Sequence, residues 1–132
     1  MDSKYKHLEF IQEVINRMAH NSFILKGWSV TLIIALFALF NEKIGFELLI
    51  ISGIPILIFW LLDSFYLSQE RLYRALYDEV RVKENDAIDF SMKVEYFKKG
   101  RNTWWMSFFA PSVLGFYLSL LLVEIIIVII LK

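Results

Sequence analysis

Few residues of this chain have the types and spacing that catalysis or metal binding needs. The chain has 132 residues and no cysteine, which excludes disulfides, thiolate metal sites and cysteine nucleophiles. His7 and His20 are its two histidines, and their spacing suggests no further ligands for a zinc site. Arg17 and His20 lie three residues apart, in a pair similar in form to those of ribonucleases, but no phosphate loop or nucleophile–base constellation accompanies them. We therefore predict no catalytic residues, no metal and no cofactor, and a membrane-bound nuclease using Arg17 and His20 is the least favoured function.

Four ionisable residues lie in or at the ends of long apolar stretches, where charge is expensive: Lys26, Glu47, Asp63 and Glu124. Each should face protein or water rather than lipid. Glu47, one turn into the second stretch, is expected to reach the surface beside Lys43. Lys26 and Asp63 fall at the same end of two neighbouring apolar stretches. Either they pair, in a network with Asn21 and Ser22, or Lys26 reaches the lipid headgroups and Asp63 is already hydrated.

Glu124 is the most isolated of the four, because Leu and Val precede it and a run of Ile and Val follows. Three alternatives stay open for its carboxyl group. It lines a water-filled passage in an oligomer, it hydrogen-bonds across an interface, to Ser52 or to a backbone carbonyl, or it lies near the outer headgroups. Lys26, Asp63 and Glu124 are therefore the candidates for a pore or a buried polar network.

The elements that must position these residues are helices in a membrane. Apolar residues make up 58% of the chain and the mean hydropathy is +0.54, with the excess in three blocks separated by charged stretches. The net charge is zero, from 14 Lys+Arg and 14 Asp+Glu, so no basic excess points to direct binding of nucleic acid. The sequence predicts an all-α integral membrane protein, a single membrane domain over 1–132, with three transmembrane helices and amphipathic or extended cytoplasmic helices.

Charge and hydropathy divide this domain into five segments. In chain order they are a cytoplasmic amphipathic helix (2–21), a first span (22–40), a second span (44–62), a cytoplasmic helical loop (64–102), and an interfacial turn followed by the third span (104–131). The apolar stripe of the first helix needs cover from the membrane interface, the loop helix or a neighbouring subunit. Residues 41–43 allow only a tight turn, so spans one and two form an antiparallel hairpin. Pro55 predicts a kink, Pro111 a bend, and the loop is expected to contain a second short helix over 90–99, ended by Gly100.

Basic residues predict the orientation of the chain. Eight Lys and Arg lie in the 64–102 loop and three in the N-terminal segment, against Lys43 and Lys132 on the opposite side. By the positive-inside rule, the N-terminus and the loop are cytoplasmic and the C-terminus is outside. Indole rings prefer the headgroup level, so interface anchors are predicted at Trp28, Trp60, Trp104 and Trp105. A weak signal for close helix contact comes from the small residues Ala35, Ala38, Ser52 and Gly53.

Two runs of residues resemble a known family. The first comprises His7-Leu-Glu-Phe-Ile-Gln12, Val14-Ile-Asn-Arg-Met-Ala19, Asn21-Ser-Phe23 and Leu25-Lys-Gly-Trp28. The second comprises Phe59-Trp-Leu-Leu-Asp63, Tyr66-Leu, Gln69-Glu-Arg-Leu-Tyr-Arg74 and Leu76-Tyr-Asp78. They are similar to the RipA-like family of small octameric bacterial membrane proteins, and the likeness covers roughly residues 4–82. The residues that carry the likeness are Asn16, Arg17, Asn21, Ser22, Lys26, Trp28, Asp63, Glu70, Arg71 and Arg74.

The resemblance implies a ring-shaped homo-oligomer, an octamer, in the bacterial inner membrane, related to accessory membrane proteins of antiviral defence loci. It leaves two functions open. One is a pore-forming or membrane-perturbing effector, and the other is a non-conducting scaffold or regulator that recruits a cytoplasmic partner through the 64–102 loop. The expected partners are the lipid bilayer, further copies of the chain and a cytoplasmic defence-system protein. An oligomer interface, a cytoplasmic network or a clamp within the subunit is expected from Asn16, Arg17, Asn21, Ser22, Glu70, Arg71 and Arg74.

Overall fold

The computed structural model describes residues 2–131, and over that range the chain is helical and contains no strand. Its helices are α1 (Asp2–Leu39), α2 (Phe46–Val80), α3 (Trp104–Phe108) and α4 (Pro111–Leu131). Single 3₁₀ turns occupy Asn41–Lys43, Asn85–Ala87, Glu95–Phe97 and Gly100–Asn102. By length and composition, α1, α2 and α4 are each able to cross a membrane. The all-α class and the three membrane-spanning helices are therefore confirmed at that level.

The first two helices are continuous rods rather than separate cytoplasmic and membrane elements. α1 runs through the boundary predicted at residue 21, and α2 runs through residues 62–64. α1 contains no proline, and its one glycine, Gly27, costs only ~1 kcal/mol relative to alanine in a helix. α2 continues through Pro55 despite the backbone donor that proline lacks. Each rod therefore joins an apolar span to a polar half.

The polar halves of α1 and α2 pack on each other through a small apolar core. Ile11 and Ile15 of α1 meet Leu72, Leu76 and Val80 of α2, and all five are at most 5% exposed. Spacings of four residues place each set on one face of its helix. Of the three surfaces that could cover the amphipathic stripe of α1, α2 is the one the fold uses. We call this region the polar end: the first half of α1, the second half of α2 and residues 81–103.

Residues 81–103, the strap, cross the polar end without an α-helix, and the helix predicted over 90–99 is wrong. Apolar Ile88, Phe90, Met92 and Val94 alternate with polar residues, a period of two that favours extended chain over helix. Ile88, Met92 and Val94 pack against the core of the polar end. Phe90 has a φ of 55°, which takes the backbone out of the right-handed helical region. Contacts with the helical hairpin outweigh the local helix propensity of this segment.

Two hydrogen bonds tie the strap to the start of α1. The ring of His7 is 1% exposed, and its Nε2 atom lies 2.9 Å from the carbonyl oxygen of Ser91. The backbone N–H of Lys4 donates to Oδ1 of Asn85 at 3.1 Å. Lys4 is in the first turn of α1, where backbone donors have no partner within the helix. The strap therefore satisfies a helix end as well as covering the core.

The spans pack through a second apolar core. Its buried members are Ile33 of α1, Ile56 and Trp60 of α2, and Val113 and Tyr117 of α4. All three long helices contribute, so this core holds the third span against the helical hairpin. The remaining apolar side chains of the spans, most of them Ile and Leu, are largely exposed, as lipid-facing residues are.

Trp60 belongs to this core and is not the exposed interface anchor that its position near the end of a span predicts. Its side chain is 8% exposed and its ring stacks on Phe108 at 4.4 Å between centroids. The indole Nε1 donates to the carbonyl oxygen of Phe108 at 3.0 Å. That carbonyl is near the end of α3, where backbone acceptors lack helical partners. The indole is buried because it caps a helix end.

The bend predicted at Pro111 is a break between two helices. The hydroxyl of Thr103 accepts a hydrogen bond from the N–H of Met106 and caps α3. α3 ends at Phe108, and Pro111 is the first residue of α4, where a missing backbone donor costs nothing. The third span therefore begins at the proline, after a break at Phe109 and Ala110.

Candidate functional site

An ion pair joins α1 to α2 where the spans meet the polar end. Nζ of Lys26 lies 2.6 Å from Oδ2 of Asp63. The same ammonium donates to the hydroxyl of Ser22 at 2.9 Å, and that hydroxyl donates to Oδ1 of Asp63. Asp63 is fully buried, whereas the Lys26 side chain is 22% exposed. Of the two alternatives for this pair, the structure contains the network with Ser22, and Asp63 is not hydrated at the surface.

The third span closes this cluster from the other side. The Tyr117 hydroxyl is buried and faces Asp63 and Ser29, but it completes no hydrogen bond within the described chain. Ser29 donates to the carbonyl oxygen of Lys26 at 2.8 Å. Nζ of Lys26 also lies 5.8 Å from the ring centroid of Phe116. The lysine and aspartate charges cancel inside a three-helix contact, so the cluster is arranged as a clamp and presents no net charge outward.

Glu124 lies inside the bundle, seven residues after Tyr117 along α4. It is 1% exposed and Ser52 of α2 is 0% exposed. Ser52 lies beside the Glu124 carboxyl group, but its hydroxyl donates instead to the carbonyl oxygen of Leu49 at 3.3 Å. Both carboxyl oxygens have no hydrogen-bond partner among the described residues. The alternative in which Glu124 lies among the outer headgroups does not fit this burial, and Ser52 is the neighbour that the sequence suggested.

An apolar groove separates α1 from α4 on the Glu124 side of the bundle. Its volume is about 480 Å³. Its lining residues are Val30, Ile33, Ile34, Phe37, Ala38, Asn41, Ile44, Leu120, Val123, Glu124, Ile127 and Leu131. Ile34 is 65% exposed and Leu131 61% exposed, so the groove is open along the lipid-facing surface. Glu124 is the one ionisable residue in its wall.

The candidate residues of the polar end make three contacts. Arg71 Nη1 donates to the carbonyl oxygen of Arg101 at 2.7 Å and so holds the strap. Partial burial, followed by the charge of Arg101, lowers the pKa of Arg71, yet a guanidinium stays protonated at neutral pH. Arg74 Nε lies 3.3 Å from Oε2 of Glu70 within α2, and Asn16 accepts from the amide of Gln12 at 2.9 Å within α1. Of these three, the Arg71 contact alone joins two elements of the subunit.

The outward face of α1 carries the remaining candidates. Arg17 and Trp28 are exposed, Trp28 at 61%, and Asn21 is half-buried. Beside them runs a row of exposed small residues, Gly27, Thr31 and Ala35, each four apart. Sequence reasoning selected Ala35 but missed the other two. The small-x-x-x-small spacing was the available signal, and the exposure of all three on one face is what the fold adds.

Two further tryptophans lie at the junction of the strap and the third span. Trp105 is 71% exposed and Trp104 is 47% exposed, and both keep surfaces available for lipid headgroups. The Trp104 Nε1 atom is shared between the carbonyl oxygen of Leu61 and the hydroxyl of Ser64, each at 3.0 Å. Trp104 thus also fastens α3 to α2. Among the residues from 2 to 131 no cluster of histidine and carboxylate side chains suited to a metal ion occurs.

Membership of the RipA-like family stays a prediction from two runs of residues in the sequence. The clamp, the groove and the outward face of α1 are what the fold itself offers for a functional assignment. No protein-family model, no curated protein and no solved structure matches this chain.

Proposed function

We propose that this chain is a homo-oligomeric membrane protein that acts as a ring, with a pore-forming or membrane-perturbing role in bacterial antiviral defence. The observation that carries the proposal is the exposed row of small residues along α1, Gly27, Thr31 and Ala35. Small side chains at this spacing let neighbouring membrane helices approach closely. The resemblance to a family of octameric membrane proteins supports the same assembly.

Packing within the protomer does not account for this row. A Cβ atom built at Gly27 would meet nothing within 4 Å, so the subunit's own fold has no steric need for glycine there. Thr31 and Ala35 are likewise exposed. Contact with a second copy is the simplest reason for three small residues on the outward face.

α4 carries a second row of small residues, Ser112, Gly115 and Ser119, which is also exposed. A Cβ atom at Gly115 likewise meets nothing within 4 Å. Two different complementary faces on one subunit favour a head-to-tail contact, and such contacts generate rings when the rotation closes. In the proposed ring, the α1 row of each subunit packs on the α4 row of the next.

The lumen of such a ring is lined by exposed side chains, which reassigns the pore candidates. The three predicted pore residues, Lys26, Asp63 and Glu124, are directed into the protomer, so they do not line this lumen. Arg17 and Asn21, on the outward face of α1 beyond the apolar span, are instead the proposed mouth of the pore. A ring of arginines there favours anions over cations.

The assembly is tested by the mass of the purified complex in mild detergent. We expect the wild-type chain to give one oligomer of defined size, and Gly27→Leu combined with Thr31→Leu to shift it toward monomers. Leucine is at least as favourable in lipid as the residues it replaces, so insertion is retained. The matched control is Gly27→Ala with Thr31→Ser, which keeps both side chains small and should keep the oligomer. A wild-type monomer would remove the ring and the pore together.

The effector role is tested separately, in bacterial cells with a membrane-potential dye. Induced expression, with and without phage infection, should depolarise the membrane, and the Gly27→Leu, Thr31→Leu variant should not. The altered conductance of Arg17→Gln would support the proposed mouth. An intact oligomer that never depolarises the membrane under either condition would contradict the pore.

A non-conducting scaffold is the second candidate, and one observation favours it. The polar end is a folded unit with its own apolar core and a strap fastened by His7, which a simple membrane pore does not need. In this function the strap and α2 recruit a cytoplasmic protein. A stoichiometric soluble partner that dissociates when strap residues are changed, without ion flux, would favour the scaffold over the pore.

A further inference from the structure

The groove between α1 and α4 has the composition of a ligand site within the bilayer. Its walls are apolar except for Glu124 and Asn41. Its volume of about 480 Å³ falls within the ~300–1,000 Å³ of sites that bind small organic molecules. The exposure of Ile34 and Val123, at 65% and 51%, leaves it open from the lipid side. A ligand reaching it from the membrane would therefore present a largely apolar body.

Glu124 supplies the second observation, because it is a buried carboxyl group without a partner. Neither oxygen is hydrogen-bonded among the described residues, and no lysine or arginine of that range is paired with it. Buried polar groups in proteins are nearly always satisfied, so an unsatisfied one requires an explanation. The hydroxyl of the neighbouring Ser52 donates its hydrogen bond to the carbonyl oxygen of Leu49.

We infer that this groove binds a lipophilic cation, an ammonium group on an apolar body, with Glu124 as its counter-ion. The apolar walls contact the apolar body of the ligand, and the carboxylate accepts a hydrogen bond from the ammonium N–H. Charge on each partner is stabilised by the other, which offsets the cost of placing either one in hydrocarbon. We take the carboxyl group of the unliganded protein to carry its proton, because a carboxylate buried among apolar side chains without a partner is costly. The inference does not depend on the oligomer or on the pore.

The contact requires the carboxyl group of Glu124 to turn. Its oxygens lie beside Ser52, and the residue itself lines the groove. The terminal torsion of a glutamate side chain is broad and roughly two-fold, so we expect the carboxyl group to reorient toward a ligand in the groove.

The experiment uses the wild-type chain in phosphatidylcholine nanodiscs and dicyclohexylcarbodiimide, which reacts with neutral carboxyl groups in apolar surroundings. The carboxyl proton moves to a carbodiimide nitrogen while the carboxyl oxygen bonds to the central carbon. The resulting O-acylisourea rearranges to a stable N-acylurea, so the reaction is an addition with no leaving group. Mass spectrometry of peptides then measures labelling at Glu124. Glu47, an exposed carboxylate in the first turn of α2, is the internal control and should remain unlabelled.

Protection by two matched compounds tests the cation. N,N-dimethyldodecylamine is protonated at neutral pH, and its tertiary nitrogen forms no stable amide with the activated acid. Dodecanol has the same chain without the charge, and any dodecyl ester that it forms with the activated acid, with dicyclohexylurea as the leaving group, is counted as labelling of Glu124. We expect the amine to halve the labelling at about tenfold lower concentration than the alcohol, a ratio equivalent to ~1.4 kcal/mol.

Each outcome bears on the inference. Selective labelling of Glu124 with preferential protection by the amine supports it. Equal protection by the amine and the alcohol would overturn the counter-ion role and leave an apolar lipid groove. Labelling of Glu124 no greater than that of Glu47 would overturn the site altogether. Because every arm uses the wild-type chain, misfolding of a Glu124→Gln variant cannot obscure the result.

Discussion

Replacing Lys26 by methionine should destabilise the protein more than replacing Asp63 by asparagine. Asp63 is fully buried and receives one hydrogen bond from Ser22 and one from Lys26. The methionine variant keeps the buried carboxyl group and removes its cation. The asparagine variant leaves Lys26 able to turn its ammonium toward the headgroups, because that side chain is already 22% exposed. The asymmetry follows from the unequal burial of the two partners.

The magnitude is set by two opposing comparisons. Removing one partner of a buried ion pair in a soluble protein costs ~3–5 kcal/mol. Polar contacts between membrane helices measure less, averaging ~0.6 and reaching ~1.7 kcal/mol, because the unfolded chain in the membrane also finds partners. For this partly exposed pair we expect Lys26→Met to lower the free energy of unfolding by ~2–3 kcal/mol and Asp63→Asn by ~1 kcal/mol.

The assay is a double-mutant cycle in detergent micelles, with unfolding by sodium dodecyl sulfate followed by circular dichroism. Lys26→Met, Asp63→Asn and the double variant complete the cycle, and Lys43→Met, an exposed lysine in the turn after α1, is the control for loss of positive charge. We expect a coupling free energy of ~1–2 kcal/mol. A coupling below ~0.3 kcal/mol, the range of independent sites, would refute the clamp. A larger cost for Asp63→Asn than for Lys26→Met would refute the argument from unequal burial.

Three further perturbations address the packing of the bundle and the strap. Trp60→Phe removes the indole donor from the Phe108 carbonyl and should cost ~1–2 kcal/mol in the same titration, whereas a change within error would show that the bond contributes nothing. His7→Ala removes the anchor at Ser91, so amides of the strap should exchange hydrogen faster while those of α4 do not, and an unchanged strap would contradict this role. The Ser91 N–H bond lowers the pKa of Asp89 in the folded chain, so its stabilisation is present above the unfolded pKa and is lost as pH falls through the lower folded pKa. Protection of the strap amides from hydrogen exchange should therefore decline in acid. Asp89→Asn should abolish that pH dependence, and a decline that persists in this variant would contradict the role of Asp89.

Sequence periodicity predicts the spans well because their signal is local. Each apolar block is long enough to cross a bilayer by itself, and the turn at residues 41–43 forces the first two into an antiparallel hairpin. That topology also places Lys26 and Asp63 at one level, and Ser52 and Glu124 at another. Both neighbouring pairs were therefore open to inference before any coordinates. The rotation of each helix about its own axis could not be inferred from the sequence. The lack of a hydrogen-bond partner for Glu124 and the groove beside it are therefore visible only in the fold.

The two errors come from contacts between distant parts of the chain. Trp60 lies near the end of a span, and that depth predicts a headgroup anchor. Trp60 instead faces inward because its indole binds the carbonyl oxygen of Phe108 at the end of α3, 48 residues later in the chain. In the strap, the alternation around Phe90 was visible in the sequence and competed with the helix propensity of Met, Lys and Glu. The extended conformation prevails because it places apolar side chains of the strap against the core formed by α1 and α2.

The continuity of α1 has a mechanical consequence. Its 38 residues make a shaft ~57 Å long, about twice the ~30 Å hydrocarbon thickness, without a proline to act as a joint. α2, fastened alongside, has 35 residues and contains Pro55, at which a helix can bend. A push on the polar end, by a partner or by movement of the strap, would therefore reach the membrane as tilt of α1. Binding of a partner at the polar end would in this way change the contacts that the spans make with neighbouring helices in the membrane.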